Sequence, residues 1–549
     1  MQKRAVWSIA GNDSGGGAGL VADQRAAEAF GAHLCPVVAA VTAQNSRAVT
    51  RVEPVSAELL DAQLAALAGD LPPAAIKTGL LGSAANIAVV ARWVDRLRER
   101  APVALVVDPV LGASTGAAFA DEAALAAYRE LLLPRATLVT PNRREAARLA
   151  GGGAAGGDVP ALAAALRGTG AQAAAVTGGD DAAAAPGWSL DWIATPQASG
   201  WLALPRVATP HTHGTGCTFA TSAACALALG FVPADALVLA KMATTHALAH
   251  GYTAGQGAGP VAARPGFATE PALLPAMSWD ESSQFSSCLR PPDKGQSPKA
   301  LEDIGLYAIV DSAERVRQVV AAGVRTVQLR IKTPDAPDAA WHAALRQSAA
   351  DALAACRVAG ATLVVNDHWR LAAELGEPSH LVVHLGQEDL LALGEAGRAE
   401  LAASGLKLGI SSHSLWELCR ARPGALVRGL RPGLAHAHQG HALGAAGAGQ
   451  PGLVGAHGGH AGGGHRRHPG AGAAGAGRAQ RRQRRVRGAR AGRRPGHHRT
   501  ALAGRAGRRP RRAAAARAGA AAPVADAVNK YEFDSCLRPP RKGWRLVGA

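Results

Sequence analysis

VALVVDPV, residues 103–110, is a continuous apolar run that stops on an Asp and a Pro. It is shorter than an ordinary helix and shows no polar–apolar alternation, the pattern of a strand buried on both faces. Five further runs of this kind lie around it: AVWSIAG (5–11), PVVAAV (36–41), AAIKTG (74–79), TLVTPN (137–142) and AAAVTGG (173–179). Ala-rich stretches with helical spacing separate them, such as 20–30 and 123–133. Strands alternating with helices predict an α/β fold with a parallel sheet covered on both faces. Ligands bind such sheets beyond the carboxyl ends of the strands, so the polar residues there are the ones to inspect.

The chain has 549 residues, enough for two or three domains, and 48% of them are hydrophobic. Its seven Cys are widely spaced with no C-x-x-C pair, which argues against a zinc site or a disulfide framework and fits a reducing cytoplasm. The opening MQKRAVWSIAGND has too short an apolar stretch for a signal peptide. No apolar run reaches the ~20 residues of a membrane span, and the longest, near 218–231, reads as a buried helix. The formal charge of +18 is unevenly placed. Residues 421–549 hold 26 Lys+Arg and 3 Asp+Glu, a net of +23, which leaves the first 420 residues at −5.

Residues 281–300, ESSQFSSCLRPPDKGQSPKA, read as a linker. Within it FSSCLRPPDKG (285–295) recurs as FDSCLRPPRKG (533–543), and nothing physical explains the recurrence. From 305 the alternation restarts with GLYAIV, TVQLRIK, TLVVND, LVVHLG and LKLGISS, five strands of a (β/α) barrel that needs eight. Then the pattern stops. Residues 421–525 contain no acidic, aromatic, Lys, Ile, Ser or Asn residue, so large apolar side chains are too few to offset the entropy of ordering.

Two glycine-rich stretches carry chemistry in the first half. GNDSGGGAGLVADQ (11–24) follows the first strand and precedes a helix; alone it is equally a tight turn. HGTGCT (213–218) opens a long helical run. Free N–H groups and the helix dipole there favour an anion, and would hold the charge that develops on a phosphoryl group in transfer. In the first turn the same field favours the thiolate of Cys217, which then serves as general base on an alcohol. The plainer reading of a lone Cys is a small residue filling a helix–sheet contact.

Seven ordered segments, AGNDSGGGAG, AVTAQNS, IKTGLLG, VVDPV, VTPNRREA, VTGG and HGTGCT, resemble the ribokinase-like hydroxymethylpyrimidine kinases of thiamine synthesis over about residues 1–275. The resemblance implies a ribokinase-like parallel-sheet sandwich that uses ATP and Mg²⁺ to phosphorylate hydroxymethylpyrimidine and its monophosphate. It implies that Gln44 bonds the aminopyrimidine edge, with Gly11 and Asp23 near the substrate. Asn142 and Glu145 fall near the Mg–phosphate shell, with Asp108 close by. Thr177 and Gly179 face the nucleotide and Lys241 reaches its phosphates. Gly214, Thr215 and Gly216 form the anion hole, and Cys217 stands where relatives with an Asp use it as base. His211 replaces a commoner Asn and Leu80 a commoner Met. Plainer readings stay open: Asn142 as a helix cap, Glu145 as its capping partner, Gln44 as a solvated strand end, Lys241 as a surface charge.

In the second half, polar residues end the strands: Gln328, Arg330 and Lys332, then Asn366 and Asp367, then Asp389 after HLGQE, and Ser411 in LGIS. Basic residues suit a diphosphate and the two carboxylates suit a bridging Mg²⁺. QLRIK, VVND, HLGQED and GISSHS resemble thiamine-phosphate synthase over about 305–420. That family joins hydroxymethylpyrimidine diphosphate to a thiazole phosphate and expels pyrophosphate. Its remaining strands, with a Gly-Pro…Pro-Thr loop and a Gly-Gly segment, are missing after 421.

The expected organisation is a kinase domain (1–280), a linker (281–300), a partial synthase barrel of TIM type (301–420) and a disordered basic tail (421–549) that reads as out-of-frame translation of a GC-rich gene. Small-molecule partners, a cytoplasmic location and a homodimer through the kinase domain complete the expectation. Two alternatives remain: a pyridoxal-type kinase, and a nucleic-acid-binding protein acting through RAQRRQRRVRGARAGRR.

Overall fold

The computed structural model describes residues 3–112, 119–151, 158–179, 186–281, 306–377 and 379–422. The linker, both copies of the CLRPP segment and the basic tail beyond residue 422 lie outside the described residues.

The first half is built on a ten-stranded sheet. Its strands are β1 (Ala5–Asp13), β2 (His33–Gln44), β3 (Val49–Pro54), β4 (Ala75–Thr78), β5 (Ala104–Val107), β6 (Leu138–Val139), β7 (Ala174–Thr177), β8 (Trp188–Ala194), β9 (Ser199–Pro205) and β10 (Ala276–Met277). They run in the order β10-β9-β8-β7-β6-β5-β4-β1-β2-β3. All six strands read from the sequence are present, and they pair in parallel from β2 across to β7. The expected parallel sheet is flanked by strands of the other sense: β3 and β8–β10 pair antiparallel. Edge strands need no helical crossover and can turn straight back, so their sequences carry mixed rather than continuous apolar patterns.

One face of the sheet packs Trp7, Ile9, Ile76, Leu105 and Val107 against the helices Ala57–Ala68, Ala84–Arg98 and Val159–Gly168. The other packs Val6, Ala75 and Val106 against Thr215–Ala228 and Pro233–Ala249. Side chains alternate along a strand. Two residues beyond Val6, Ala75 and Val106 therefore stand Ser8, Lys77 and Asp108, a buried polar row facing the helix that HGTGCT opens.

The second half holds five parallel strands in chain order: β11 (Tyr307–Val310), β12 (Thr326–Leu329), β13 (Thr362–Asn366), β14 (Leu381–Leu385) and β15 (Lys407–Ile410). Helices such as Ala313–Ala321 and Ala339–Ala359 connect them. The helix after β15, Leu415–Ala421, puts Leu415 and Cys419 into the same apolar core as Leu237, Leu274 and Met277 of the first half. The N–H of Trp416 donates to the Asp235 carboxylate at 3.0 Å and Arg420 donates to the Ser199 carbonyl at 2.8 Å. Burial pushes the Asp235 carboxyl up to about 6, against the N–H bonds from Trp416 and Leu415. Among the described residues no helix is long and apolar enough to cross a membrane.

Candidate active site

The carboxyl end of β1 turns sharply. Asp13 is almost fully buried and its carboxylate collects the N–H groups of Gly15, Gly17 and Ala18 at 2.8, 3.0 and 2.8 Å. His213 Nε2 donates to it at 2.9 Å. Burial pushes the Asp13 carboxyl up, but the His213 bond and these backbone donors outweigh it and hold the group below its ordinary value. The glycines have a packing reason here: a Cβ on Gly17 would meet His213 Cδ2 at 2.1 Å, and one on Gly214 would meet the Gly17 carbonyl at 2.2 Å. Gly214 has φ +86°, a left-handed conformation that glycine adopts without strain. The two glycine-rich stretches, 200 residues apart, thus close on each other.

Gly214 caps the helix Thr215–Ala228. Thr215 gives its N–H to Thr212, so Gly216 and Cys217 are the first-turn residues left to offer theirs to an anion. Gln44 ends β2 half-buried, its backbone N–H on Ser14 Oγ at 2.8 Å and its amide beside Thr42 and His213, 3.3 Å from each. Gly11 lies under the buried Leu80, whose Cδ2 a Cβ there would meet at 3.2 Å. His211 is enclosed by Gly251 and Gly259.

Behind the helix mouth, Asp23 is fully buried and accepts from Ser8 at 2.6 Å, Thr221 at 2.7 Å and Lys77 at 3.1 Å. Lys77 is also 3.6 Å from Asp108. The expected closeness of Asp23 to substrate is corrected: with no exposed surface it acts as the counter-ion of Lys77. Burial opposes the charge on Lys77, but Asp23, Cys217 and Asp108 outweigh it and hold the ammonium above its ordinary value. Burial pushes the Asp108 carboxyl up to about 6 against the pull of Lys77.

Around Cys217, which is half-buried, the balance of charge and desolvation runs against the expected thiolate. Desolvation pushes its thiol up to about 12; Lys77 opposes this, while Asp23 and Asp108 add to it. Two carboxylates and burial outweigh one ammonium and a helix dipole, whose effect falls off within the first turn.

The remaining kinase residues gather around the end of β7. Asn142 caps the helix Arg143–Ala150 in a reciprocal capping box with Glu145, both bonds 3.0 Å, and bridges to Thr177. Their capping roles are therefore real, and the second Glu145 oxygen reaches the Leu111 N–H at 3.4 Å. Lys241 is neither a surface charge nor free to reach phosphates. It is 3% exposed and bonds Asp191 at 2.7 Å and Ser189 at 3.0 Å. Asp191 in turn accepts the Gly178 N–H at 3.0 Å, between Thr177 and Gly179, and Arg206 donates to the Gly179 carbonyl at 2.6 Å.

In the second half, Gln328 donates to Asn366 at 2.6 Å, and His384 bonds Ser411 at 2.8 Å. Asp367 has φ +66°, a left-handed conformation that Asp tolerates better than most residues, and its N–H donates to the His384 carbonyl at 2.9 Å. Burial, then the charge of Asp389, push its carboxyl up, against His368 and Arg330. Asp389 caps its own helix through the Gly386 N–H at 2.8 Å; Arg330 and Lys332 are exposed. Among the described residues no group of three or more His, Cys, Asp or Glu is arranged to hold a metal.

Residues 13–262 match the family model described as phosphomethylpyrimidine kinase, and residues 306–426 the one described as thiamine monophosphate synthase. The chain is 43% identical over 257 residues to the hydroxymethylpyrimidine/phosphomethylpyrimidine kinase of Synechococcus elongatus, covering 95% of that protein and 46% of this chain. The chain belongs to the hydroxymethylpyrimidine/phosphomethylpyrimidine kinase family. It is also 29% identical over 427 residues to the thiamine biosynthetic bifunctional enzyme TH1, chloroplastic, of Arabidopsis thaliana, covering 76% of that protein and 75% of this chain. That match is longer than the kinase half, and with the second family model it shows a kinase half fused to a synthase-like half in this chain. The pyridoxal kinase of Staphylococcus aureus in complex with AMP-PCP and pyridoxal is 27% identical, covers 47% of the chain and 93% of its own, and has a TM-score of 0.41.

The sequence reading assigned no role to Asp13, His213, Lys77, Thr221 or Asp191. The signal for Lys77 was present: a lysine two residues beyond Ala75 in an otherwise apolar strand needs a buried counter-ion.

Proposed function

We propose that the first half transfers the γ-phosphoryl group of ATP to the hydroxymethyl group of an aminopyrimidine and then to the resulting monophosphate. The observation that carries this reading is the closure of HGTGCT onto the end of β1 beside Gln44 through the His213–Asp13 bond. It sets an anion-binding helix end next to an amide that reads a heterocycle. The backbone N–H groups of Gly216 and Cys217 hold the transferring group, with Gly214 shaping the turn and the Thr215 N–H spent on Thr212, and preorganised donors of this kind supply most of such catalysis. Cys217 is the group positioned to take the alcohol proton. Its thiol, up at about 12, holds its own proton until bound ligands change the local charge.

The Asn142–Thr177 bridge and the loop that Asp191 ties down at Gly178 form the nucleotide side, with Lys241 shaping it from below. Asp108 would stand near the Mg²⁺; its buried Oδ2 has no hydrogen-bond partner among the described residues but faces the Lys77 ammonium at 3.6 Å, so a bound cation would share this carboxylate with Lys77. Glu145 would be its neighbour in that shell. In the second half, Asp367 and Asp389 fit a divalent ion bridging a diphosphate, because burial and then the charge of Asp389 push the Asp367 carboxyl up, a cost that a cation would relieve. Gln328, Asn366, Ser411, Arg330 and Lys332 stand around it.

We read the second half as a synthase that no longer turns over, the chain as cytoplasmic, and the kinase half as a homodimer, which sedimentation would test. The deciding experiment is ATP-dependent phosphorylation of hydroxymethylpyrimidine, its monophosphate and pyridoxal by the purified chain. Activity confined to pyridoxal would overturn the reading.

A further inference from the structure

We infer that His213, held by Asp13, fixes which way round the Gln44 amide stands, and that this positioning pair sets the preference for an aminopyrimidine over its 4-oxo counterpart; the inference rests on the substrate proposed above. An ionised carboxylate only accepts, so the 2.9 Å contact to Asp13 requires a hydrogen on His213 Nε2 whatever the charge of the ring. The same nitrogen lies 3.3 Å from the amide nitrogen of Gln44. Two donors cannot bond each other. A half-turn about the last side-chain bond leaves the shape of the amide unchanged and turns its oxygen to His213.

The other end of the amide agrees. Thr42 Oγ1 lies 3.1 Å from the Asn12 carbonyl, which can only accept, so the hydroxyl hydrogen goes there. That leaves Thr42 a lone pair for the amide, 3.3 Å away, and a lone pair requires the NH₂ end of Gln44. With the amide oxygen turned to the one Nε2–H of His213, which it shares with Asp13 as the longer arm, and one N–H on Thr42, the outer edge of Gln44 offers one acceptor and one donor in a fixed order. An amino group beside a ring nitrogen complements one order; an oxo group beside a ring N–H complements the other. A site whose polar groups are committed rejects the mismatched partner strongly. The notch at Gly17 that receives the His213 ring is part of this device.

The test compares hydroxymethylpyrimidine with its 4-oxo analogue in the wild-type chain and in His213→Phe, which fills the notch but carries no N–H. The expected result is a KM for the amino substrate raised about tenfold or more and an amino-over-oxo preference reduced by about tenfold or more. The nucleotide KM should stay within about threefold, a split that general damage to the site would not produce. An unchanged preference in folded His213→Phe overturns the inference. Should that variant not fold, Thr42→Val decides: it removes the lone pair that holds the NH₂ end of Gln44, so the preference must fall, and an unchanged preference overturns the inference. A wild-type chain that phosphorylates neither pyrimidine overturns the substrate reading instead.

Discussion

In the first half the residues that meet over the sheet come from positions as far apart as Asp13 and His213, whereas in the second half every candidate residue lies on or just after its own strand, from Gln328 to Ser411. The first arrangement requires the whole ten-stranded sheet before any of it works. Once formed, its polar groups are interlocked: Ser8, Asp23, Lys77 and Thr221 share one set of bonds. The second arrangement can present its pieces pairwise, whatever strands stand beyond them. Gln328 with Asn366, and His384 with Ser411, are paired across neighbouring strands of five. Local correctness therefore says less about activity in the second half than in the first.

The sharpest way to break this contrast is to assay both halves in one preparation. Thiamine phosphate formation is expected to be at least about a hundredfold below that of an intact barrel, because misplacement of a phosphate-holding loop alone costs that much. Kinase turnover should be ordinary. Comparable turnover in both would show that five strands suffice. Next, Cys217→Ser is expected to lower kcat by about 10²–10⁴ while leaving nucleotide binding nearly unchanged, measured by steady-state kinetics and titration with an ATP analogue. The wild-type kcat/KM should climb with pH beyond 9, since desolvation pushes the thiol up to about 12, and Cys217→Asp should flatten that climb.

A third, smaller effect concerns stability. Lys77→Met leaves Asp23 and Asp108 without their counter-ion and should cost about 3–5 kcal/mol in urea unfolding near neutral pH. The carboxyls can then take up protons, so the loss should shrink as the pH falls. The smallest effect tests the joint between the halves. The folded-state carboxyl of Asp235 sits at about 6, above its ordinary 3.8, so the folded chain binds that proton more tightly than the unfolded one. Stability from this group is greatest below about 4, is lost as the pH rises through about 6, and stays lost above. Asp235→Asn should remove that decline, a gain on the order of 1 kcal/mol at pH 7 by thermal melting.

Much of the fold was legible because buried parallel strands announce themselves as short apolar runs. β3 and β8–β10 were not: β3 mixes exposed and half-buried residues, and the buried run of β8 is interrupted by Asp191. The glycine-rich stretches were legible as a phosphate site, but their mutual contact was not, because nothing local links Gly17 to His213. Lys241 was misread in both directions for one reason: its partner Asp191 lies 50 residues away, and a lysine's burial is decided by that partner. Cys217 was misjudged because a helix dipole can be read from sequence, whereas the balance of one ammonium against two carboxylates around a sulfur depends on β1, β4 and β5 lying side by side.

The helix Leu415–Ala421 gives the fusion a practical property. Severing the chain near residue 281 would remove Leu415 and Cys419 from the apolar core they share with the kinase half and expose part of it. An expression fragment that stops there is expected to associate or precipitate more readily than the full chain.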